Sequence, residues 1–120
     1  MTTAQTVLIV EDEFLIRLSA CETFTEAGFV VLQAESGEQA VEILSDDSQI
    51  DVVFTDIRLG GALTGWDVAE EARIKRPDVR VIYASGNAID PTRNVSGSQF
   101  FGKPYDPEVI VDACRRPAAR

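Results

Sequence analysis

Five short apolar runs alternate along the chain with longer stretches of mixed polarity. The runs are rich in Val, Ile and Phe and lie at residues 6–10, 29–34, 50–55, 79–84 and, more weakly, 98–101. Most of them lack the strict alternation of a half-buried strand, which is typical of parallel strands that are covered on both faces. The pattern therefore predicts five buried strands.

Four of the stretches around these runs carry apolar or small residues at helical spacing, at 14–27, 36–44, 66–75 and 107–115. In the first of them, Gly28 follows as a stop, and the predicted core face consists of Ile16, Ala20, Phe24 and Ala27. Strand and helix thus alternate as in an α/β protein, and right-handed connections would place helices on both faces of an open, doubly wound sheet.

Residues 86–97 interrupt the alternation. Their sequence, GNAIDPTRNVSG, carries Gly, Asn, Pro and Ser and almost no apolar periodicity. We expect a loop or a frayed turn there, so the fourth helix of the fold should be weak or irregular.

Polar residues gather where the predicted strands end. Glu11 and Asp12 follow the first strand, Asp56 the third, Ser85 the fourth and Lys103 the fifth. Because parallel strands end at the same edge of a sheet, these side chains should share one crevice. Taken singly each has an ordinary interpretation, as a solvated helix start, a turn or a loop residue.

Composition and charge narrow the classes of function. The net charge is -9 and the sequence pI about 4.4, which argues against binding to the phosphates of a nucleic acid. The chain has two cysteines and no histidine, so neither a zinc site nor histidine acid–base catalysis is expected. No apolar run is long enough to span a membrane. Without a signal peptide, a cytoplasmic protein is expected.

The predicted crevice has the chemistry of a hard-cation site next to a reactive oxygen. Carboxylates suit Mg²⁺ (or Mn²⁺), and Asp56 could act as a nucleophile that forms an aspartyl phosphate. Lys103 would hold a phosphoryl oxygen as a point charge, and Ser85 could donate a hydrogen bond to another. The GGALTG segment at 60–65 lacks the ending of a P-loop and is interpreted as a mobile loop after the acceptor.

With these residues the chain resembles the receiver domain of two-component response regulators. The resemblance rests on ED at 11–12, D at 56, SG at 85–86 and KP at 103–104, and it extends over nearly the whole length. It implies a five-stranded parallel sheet of order 2-1-3-4-5, an order that is known for this family. It also implies a single domain over 1–120, with a tail at about 116–120 and no effector domain.

The resemblance further implies a role for each site residue. Asp56 is similar to the phosphoacceptor. Asp12 and Asp56 would ligate Mg²⁺ directly, Glu11 would act through water, and the backbone carbonyl of Arg58 matches the family's main-chain ligand.

Four more roles follow from the same resemblance. Ser85 resembles the switch hydroxyl and Lys103 the phosphate-binding lysine, and the Lys103–Pro104 peptide bond would be cis. Phe100, three residues before the lysine, matches the switch aromatic that turns inward on activation.

The function implied is that of a phosphoacceptor switch. A histidine kinase would donate a phosphoryl group to Asp56. The surface at 86–106 would then change its binding to a downstream target, or the phosphoryl group would pass to a histidine phosphotransfer protein. We expect a monomer or weak dimer, and only slow catalysis of its own dephosphorylation.

Three other functions would make different demands on the sequence. A haloacid-dehalogenase-type phosphatase would need an acid two residues past its nucleophile, where this chain has Arg58. A receiver-like module that binds partners without phosphorylation usually lacks an acid or the lysine, and none is missing here. A flavodoxin-type flavin site would need a phosphate-binding loop after the first strand, where EDEF has the wrong charge.

Overall fold

The structure is a computed structural model and describes residues 4–46, 49–86 and 91–115. Five parallel strands form one sheet in the order β2-β1-β3-β4-β5. The strands are β1 (Thr6–Val10), β2 (Val30–Ala34), β3 (Val52–Asp56), β4 (Arg80–Ser85) and β5 (Gln99–Gly102). The α-helices are α1 (Phe14–Glu26), α2 (Gly37–Ser45), α3 (Gly65–Lys75) and α4 (Pro107–Arg115).

The predicted fold class and strand order are confirmed, and the bounds of the elements differ by at most two residues. The third strand begins at Val52 and includes Asp56, which was predicted to lie just beyond it. Asp56 therefore pairs in register with Ala84 of β4, and its backbone is held by the sheet.

The sheet is apolar on both faces, which explains why its strands do not alternate. In β1, Leu8 and Val10 pack with α2 and α3, whereas Val7 and Ile9 pack with α1 and α4. Every residue of β3 is buried. The exposed positions lie in the edge strands β2 and β5, as expected for a parallel sheet that is covered by helices.

Of the four predicted core positions of α1, Ala20 and Phe24 are buried, whereas Ile16 and Ala27 are half-buried. The helix also buries Arg17 and Cys21. The face includes an arginine because its guanidinium reaches polar partners at the end of the sheet, among them the main-chain oxygen of Glu11. The spacing of apolar residues along the helix does not indicate those partners.

The segment before β5 has no α-helix within its described residues. It contains one 3₁₀ turn, Pro91–Arg93, and reaches β5 through an irregular backbone. Residues 87–90 and the predicted tail at 116–120 lie outside the described residues, and the single-domain organisation stays a prediction. In the described part of the chain, no helix is both long and apolar enough to cross a bilayer.

Candidate functional site

Three carboxylates converge at the carboxyl ends of β1 and β3. Glu11, Asp12 and Asp56 each offer an oxygen, and these oxygens lie within 4.8 Å of one another. Glu11 and Asp56 are buried and Asp12 is exposed. The Glu11 amide donates to the carbonyl oxygen of Ala34 at 3.1 Å, which continues the pairing of β1 with β2 beyond the strand. The convergence that the strand ends predict is therefore present.

Lys103 supplies a cation to this cluster. Its Nζ lies 2.7 Å from Asp56 Oδ2 and 2.8 Å from Glu11 Oε1. The lysine follows β5, and its peptide bond to Pro104 is cis. Burial acts to lower the pKa of Lys103, but the hydrogen bonds to Asp56 and Glu11 outweigh it and raise the pKa above its ordinary value. The ammonium is thus charged at neutral pH.

Glu11 is the carboxylate that burial affects most clearly. Burial raises its pKa above the ordinary value, although hydrogen bonds from Lys103 and from the Glu13 amide act in the opposite direction. The charge of Asp56 raises the pKa of Glu11 further. A buried acid beside a second acid is costly to ionise, so this group favours a nearby cation.

Both carboxylate oxygens of Asp56 accept a hydrogen bond. Oδ2 accepts from Lys103, and Oδ1 accepts from the backbone amide of Arg58 at 3.2 Å. The hydroxyl of Thr55 donates to the main-chain oxygen of Asp56 at 2.8 Å. The carboxylate is therefore oriented toward the crevice between β1, β3 and the end of β5. The role predicted for the Arg58 carbonyl stays a prediction.

The two predicted switch residues lie in different surroundings. Ser85 ends β4 and is buried, and its main-chain oxygen accepts from the Lys103 amide at 2.9 Å. Phe100 pairs with Tyr83 across β4 and β5, and 43% of it is exposed. Phe100 thus lies outside the acid cluster here, and its inward turn on activation stays a prediction.

Sequence reasoning missed two residues that border the site, Arg17 and Tyr105, and one that binds the loop after the acceptor, Glu38. Arg17 binds the main chain of Glu11, Tyr105 packs edge-on against Phe54, and Glu38 accepts from the amide of Ala62 at 2.9 Å. Burial, followed by the charge of Glu11, raises the pKa of Tyr105. A signal existed only for Arg17, which stands at helical spacing ahead of Ala20, Cys21 and Phe24.

The donor set of the cluster fits a hard divalent cation. Three carboxylates face one ammonium, so the cluster keeps a net negative charge, and all its ligand atoms are oxygen. Mg²⁺ is commonly held by one or two carboxylates with the rest of its ligands from water and phosphate. A buried aspartate between a cation site and a lysine is an arrangement that can accept a phosphoryl group.

Known proteins share this fold and its sequence pattern. Residues 7–115 match the family described as response regulator receiver domain. Sporulation initiation phosphotransferase F of Bacillus subtilis is 28% identical over 114 residues, which cover 92% of this chain and 90% of that protein. Sensor kinase CckA of Brucella abortus is 33% identical over 105 residues, which cover 83% of this chain but only 11% of the kinase.

Solved structures agree with the sequence matches. A response regulator receiver protein from Sinorhizobium medicae superposes with a TM-score of 0.88 at 35% identity, covering 92% of this chain and 91% of that one. The receiver domain of the hybrid histidine kinase CckA gives a TM-score of 0.78 at 28% identity, with 90% and 94% of the two chains covered. The chain therefore belongs to the response regulator receiver domains, the phosphoacceptor switches of two-component signalling.

Proposed function

We propose that Asp56 is the residue of this switch that accepts the phosphoryl group. The observation that carries the proposal is the position of the Lys103 ammonium, in contact with both Asp56 and Glu11. It orients the Asp56 carboxylate at the end of a buried strand. It also provides a cation where the oxygens of an incoming phosphoryl group would lie.

The transfer is a displacement at phosphorus. An oxygen of Asp56 forms a P–O bond while the P–N bond of a phosphohistidine donor breaks, and the bonding electron pair returns to the imidazole nitrogen. The product is an acyl phosphate on the receiver and a free histidine on the donor. Lys103 moves its hydrogen bond from the carboxylate to a phosphoryl oxygen, so no proton needs to leave the ammonium.

Glu11, Asp12 and Asp56 would hold Mg²⁺ (or Mn²⁺), with the Arg58 carbonyl as a main-chain ligand. When bound, the ion offsets negative charge on the attacking carboxylate and on the phosphoryl oxygens. The side chains of this chain do the rest, since they hold the acceptor in place and keep a positive charge beside it.

Phosphorylation adds roughly two negative charges next to Glu11 and Asp12. We propose that Ser85 then donates to a phosphoryl oxygen and that Phe100 repacks, so that the 86–106 surface changes its affinity for a partner. Such a change shifts an existing equilibrium. One similar protein is named a phosphotransferase and another a sensor kinase. These relatives support either a target protein or a histidine phosphotransfer protein as that partner.

A protein donor must also cover the surface around Asp56. An apolar groove of about 420 Å³ opens beside Lys103, between α1 and the start of α4, and is lined by Leu15, Ile16, Pro104, Tyr105 and Pro107. Leu15 is 75% exposed. We propose that the phosphohistidine-bearing domain of a histidine kinase packs on this groove, because Lys103, which contacts Asp56, lines it.

Intact mass spectrometry after treatment with acetyl phosphate and Mg²⁺ tests the acceptor. We expect the wild type to gain one phosphoryl group, Asp56→Asn to gain none, and EDTA to abolish the gain. Asp51→Asn is the matched control, because Asp51 lies just before the opposite end of β3 and accepts from Thr6. Retained phosphorylation in Asp56→Asn would refute the assignment.

Phosphate release from small phosphate esters separates the switch from a phosphatase. A haloacid-dehalogenase-type enzyme would release phosphate with steady turnover, whereas a receiver holds one phosphoryl group and releases it only through slow autodephosphorylation. Receiver relatives over most of the chain and the arginine at position 58 both favour the switch. All the acids and the lysine are present, which also argues against a module that never becomes phosphorylated.

A further inference from the structure

Arg17 is a buried arginine whose guanidinium is directed to the end of the sheet. It is 8% exposed, and its Nη1 donates to the main-chain oxygen of Glu11 at 2.8 Å. Its Nε donates to the side-chain oxygen of Gln33 at 3.0 Å, and Nη2 lies 3.7 Å from the carboxylate of Glu35. All three nitrogens of one side chain thus connect α1 to the ends of β1 and β2.

The bond to Glu11 reaches the main chain, and this decides what it controls. The oxygen belongs to the planar peptide unit that joins Glu11 to Asp12. A hydrogen bond that holds this oxygen therefore constrains the plane that contains both α-carbons. Both of these residues carry carboxylates of the acid cluster. The Glu13 amide, which follows them, donates back to Glu11 Oε2 at 3.1 Å. A single hydrogen bond from Arg17 therefore constrains the peptide plane from which two ligand-bearing residues project.

Burial makes this bond strong. A guanidinium removed from water donates charge-assisted hydrogen bonds, and these are roughly twice as strong as neutral ones. A buried peptide oxygen that lost its donor would be left unsatisfied, and the loop at 11–13 would turn to find water. The acids would then spread apart, since three carboxylates repel one another.

We propose that Arg17 is a positioning residue for the metal and phosphoryl site, acting on Glu11 and Asp12 through the peptide that joins them. This inference rests on the proposed function of the acid cluster. It predicts that a change at position 17 weakens divalent-ion binding even though the side chain is not a ligand. Neighbours that orient metal ligands commonly change affinity by about 10–100-fold when they are replaced.

Arg17→Gln and Arg17→Lys test the proposal, with Arg80→Gln as the matched control. Arg80 also donates to a main-chain oxygen, that of Ala113, but at the opposite end of the strands. The probe is Mn²⁺, titrated into the phosphate-free protein while electron paramagnetic resonance reports the free ion. Thermal melting in EDTA reports the stability of each variant.

We expect Arg17→Gln to bind Mn²⁺ at least about 10-fold more weakly than the wild type. Lysine keeps the charge and one donor for the Glu11 oxygen, so Arg17→Lys should recover part of the loss. Arg80→Gln should lose melting temperature but keep its Mn²⁺ affinity. In the metal-free protein, deuterium exchange at residues 11–14 should accelerate in both Arg17 variants, relative to exchange in β3.

Two results would overturn the inference. One is an Arg17→Gln protein that binds Mn²⁺ within a factor of two of the wild type; the other is an equal loss of affinity in Arg80→Gln. If Arg17→Gln does not fold, Arg17→Lys decides, through its Mn²⁺ affinity and the exchange at 11–14. Failure of the wild type itself to bind Mn²⁺ or to gain a phosphoryl group would refute the proposed function instead.

Discussion

Gly65 lies against the main chain of Asp56, so closely that a Cβ at position 65 would overlap the Asp56 carbonyl oxygen. The Gly65 amide also donates to the carbonyl oxygen of Ile57 at 2.8 Å. The missing side chain therefore lets α3 begin directly behind the acceptor. The first turn of a helix and the end of a strand are in contact where the chemistry takes place.

Gly65→Ala should disturb both folding and phosphorylation. The added methyl group must displace the backbone of Asp56, and overpacking of this kind costs roughly 1–3 kcal/mol of unfolding free energy. We expect a lower urea midpoint and slower uptake of phosphate from acetyl phosphate. Gly102→Ala is the control, because a Cβ there meets nothing within 4 Å. Equal behaviour of the two variants would show that the close approach has no consequence.

Lys103→Met should change metal binding and phosphorylation in opposite directions. Removing the ammonium leaves Glu11 and Asp56 unpaired, and we expect a loss of about 2–3 kcal/mol, somewhat below the range for a fully buried pair. Mg²⁺ should bind more tightly, since it no longer competes with a fixed cation. Phosphorylation by acetyl phosphate should be slower at saturating Mg²⁺. Weaker Mg²⁺ binding in this variant would contradict the electrostatic argument.

Leu15→Glu should separate protein donors from small donors. Leu15 is exposed at the groove beside Lys103, and a carboxylate there would have to be desolvated when a protein packs on it. We expect transfer from an autophosphorylated histidine kinase that acts on the wild type to slow by at least 10-fold, a loss of at least about 1.4 kcal/mol. Uptake from acetyl phosphate should stay unchanged.

Ile74→Glu is the control, because it places the same charge on an exposed apolar residue of a different helix. Ile74 is 75% exposed on α3, as Leu15 is on α1. If the kinase phosphorylates Leu15→Glu as fast as the wild type and Ile74→Glu, its contact lies outside the groove.

Asp67→Asn should remove a pH-dependent contribution to stability. Asp67 accepts from the Thr64 amide at 2.8 Å and completes a capping box at the start of α3. The bond from the Thr64 backbone lowers the pKa of Asp67 below its ordinary value of 3.8, so the ionised form favours the folded state. The contribution, about 1 kcal/mol for a cap, is complete above that ordinary value and lost as pH falls through the lower folded pKa.

Urea unfolding of wild type and Asp67→Asn at pH 7 and below pH 3.8 checks the sign. The difference between the two proteins should shrink as pH falls. Glu70→Gln is the control, because Glu70 shares the partner Arg93 but caps no helix. A difference that is independent of pH would exclude the ionised cap as its source.

Arg93→Ala should loosen the segment at 91–97. The guanidinium of Arg93 lies over the ring of Trp66 at 5.2 Å and pairs with Asp67 and Glu70, while Trp66 Nε1 donates to the side chain of Asn94 at 2.8 Å. We expect amides at 91–97 to exchange faster than those of β3 in the unmodified protein, and faster still in Arg93→Ala. Phosphorylation should slow them.

Trp66 is the only tryptophan, so its emission reports the same contact. Arg93→Ala should shift it to longer wavelength as the ring gains water. Exchange at 91–97 as slow as in β3 would refute this expected mobility.

Much of the architecture follows from the sequence because it depends on properties that repeat along the chain. Apolar runs identify strands, since a strand covered on both faces needs apolar side chains at every position. Parallel strands end at one edge of a sheet. The positions of Glu11, Asp56, Ser85 and Lys103 at the ends of the predicted strands therefore sufficed to place them together. Neither inference needs the distance between any two atoms.

Only the tertiary structure decided which partners the polar groups take. The bond from Arg17 to the Glu11 oxygen, the bridging position of Lys103 and the overlap of Gly65 with Asp56 each depend on two or more elements that are distant in sequence. Hydrogen bonds and close contacts change within fractions of an ångström, whereas periodicity reports only average burial. Sequence therefore determined where the chemistry gathers, and packing determined how its groups are aimed.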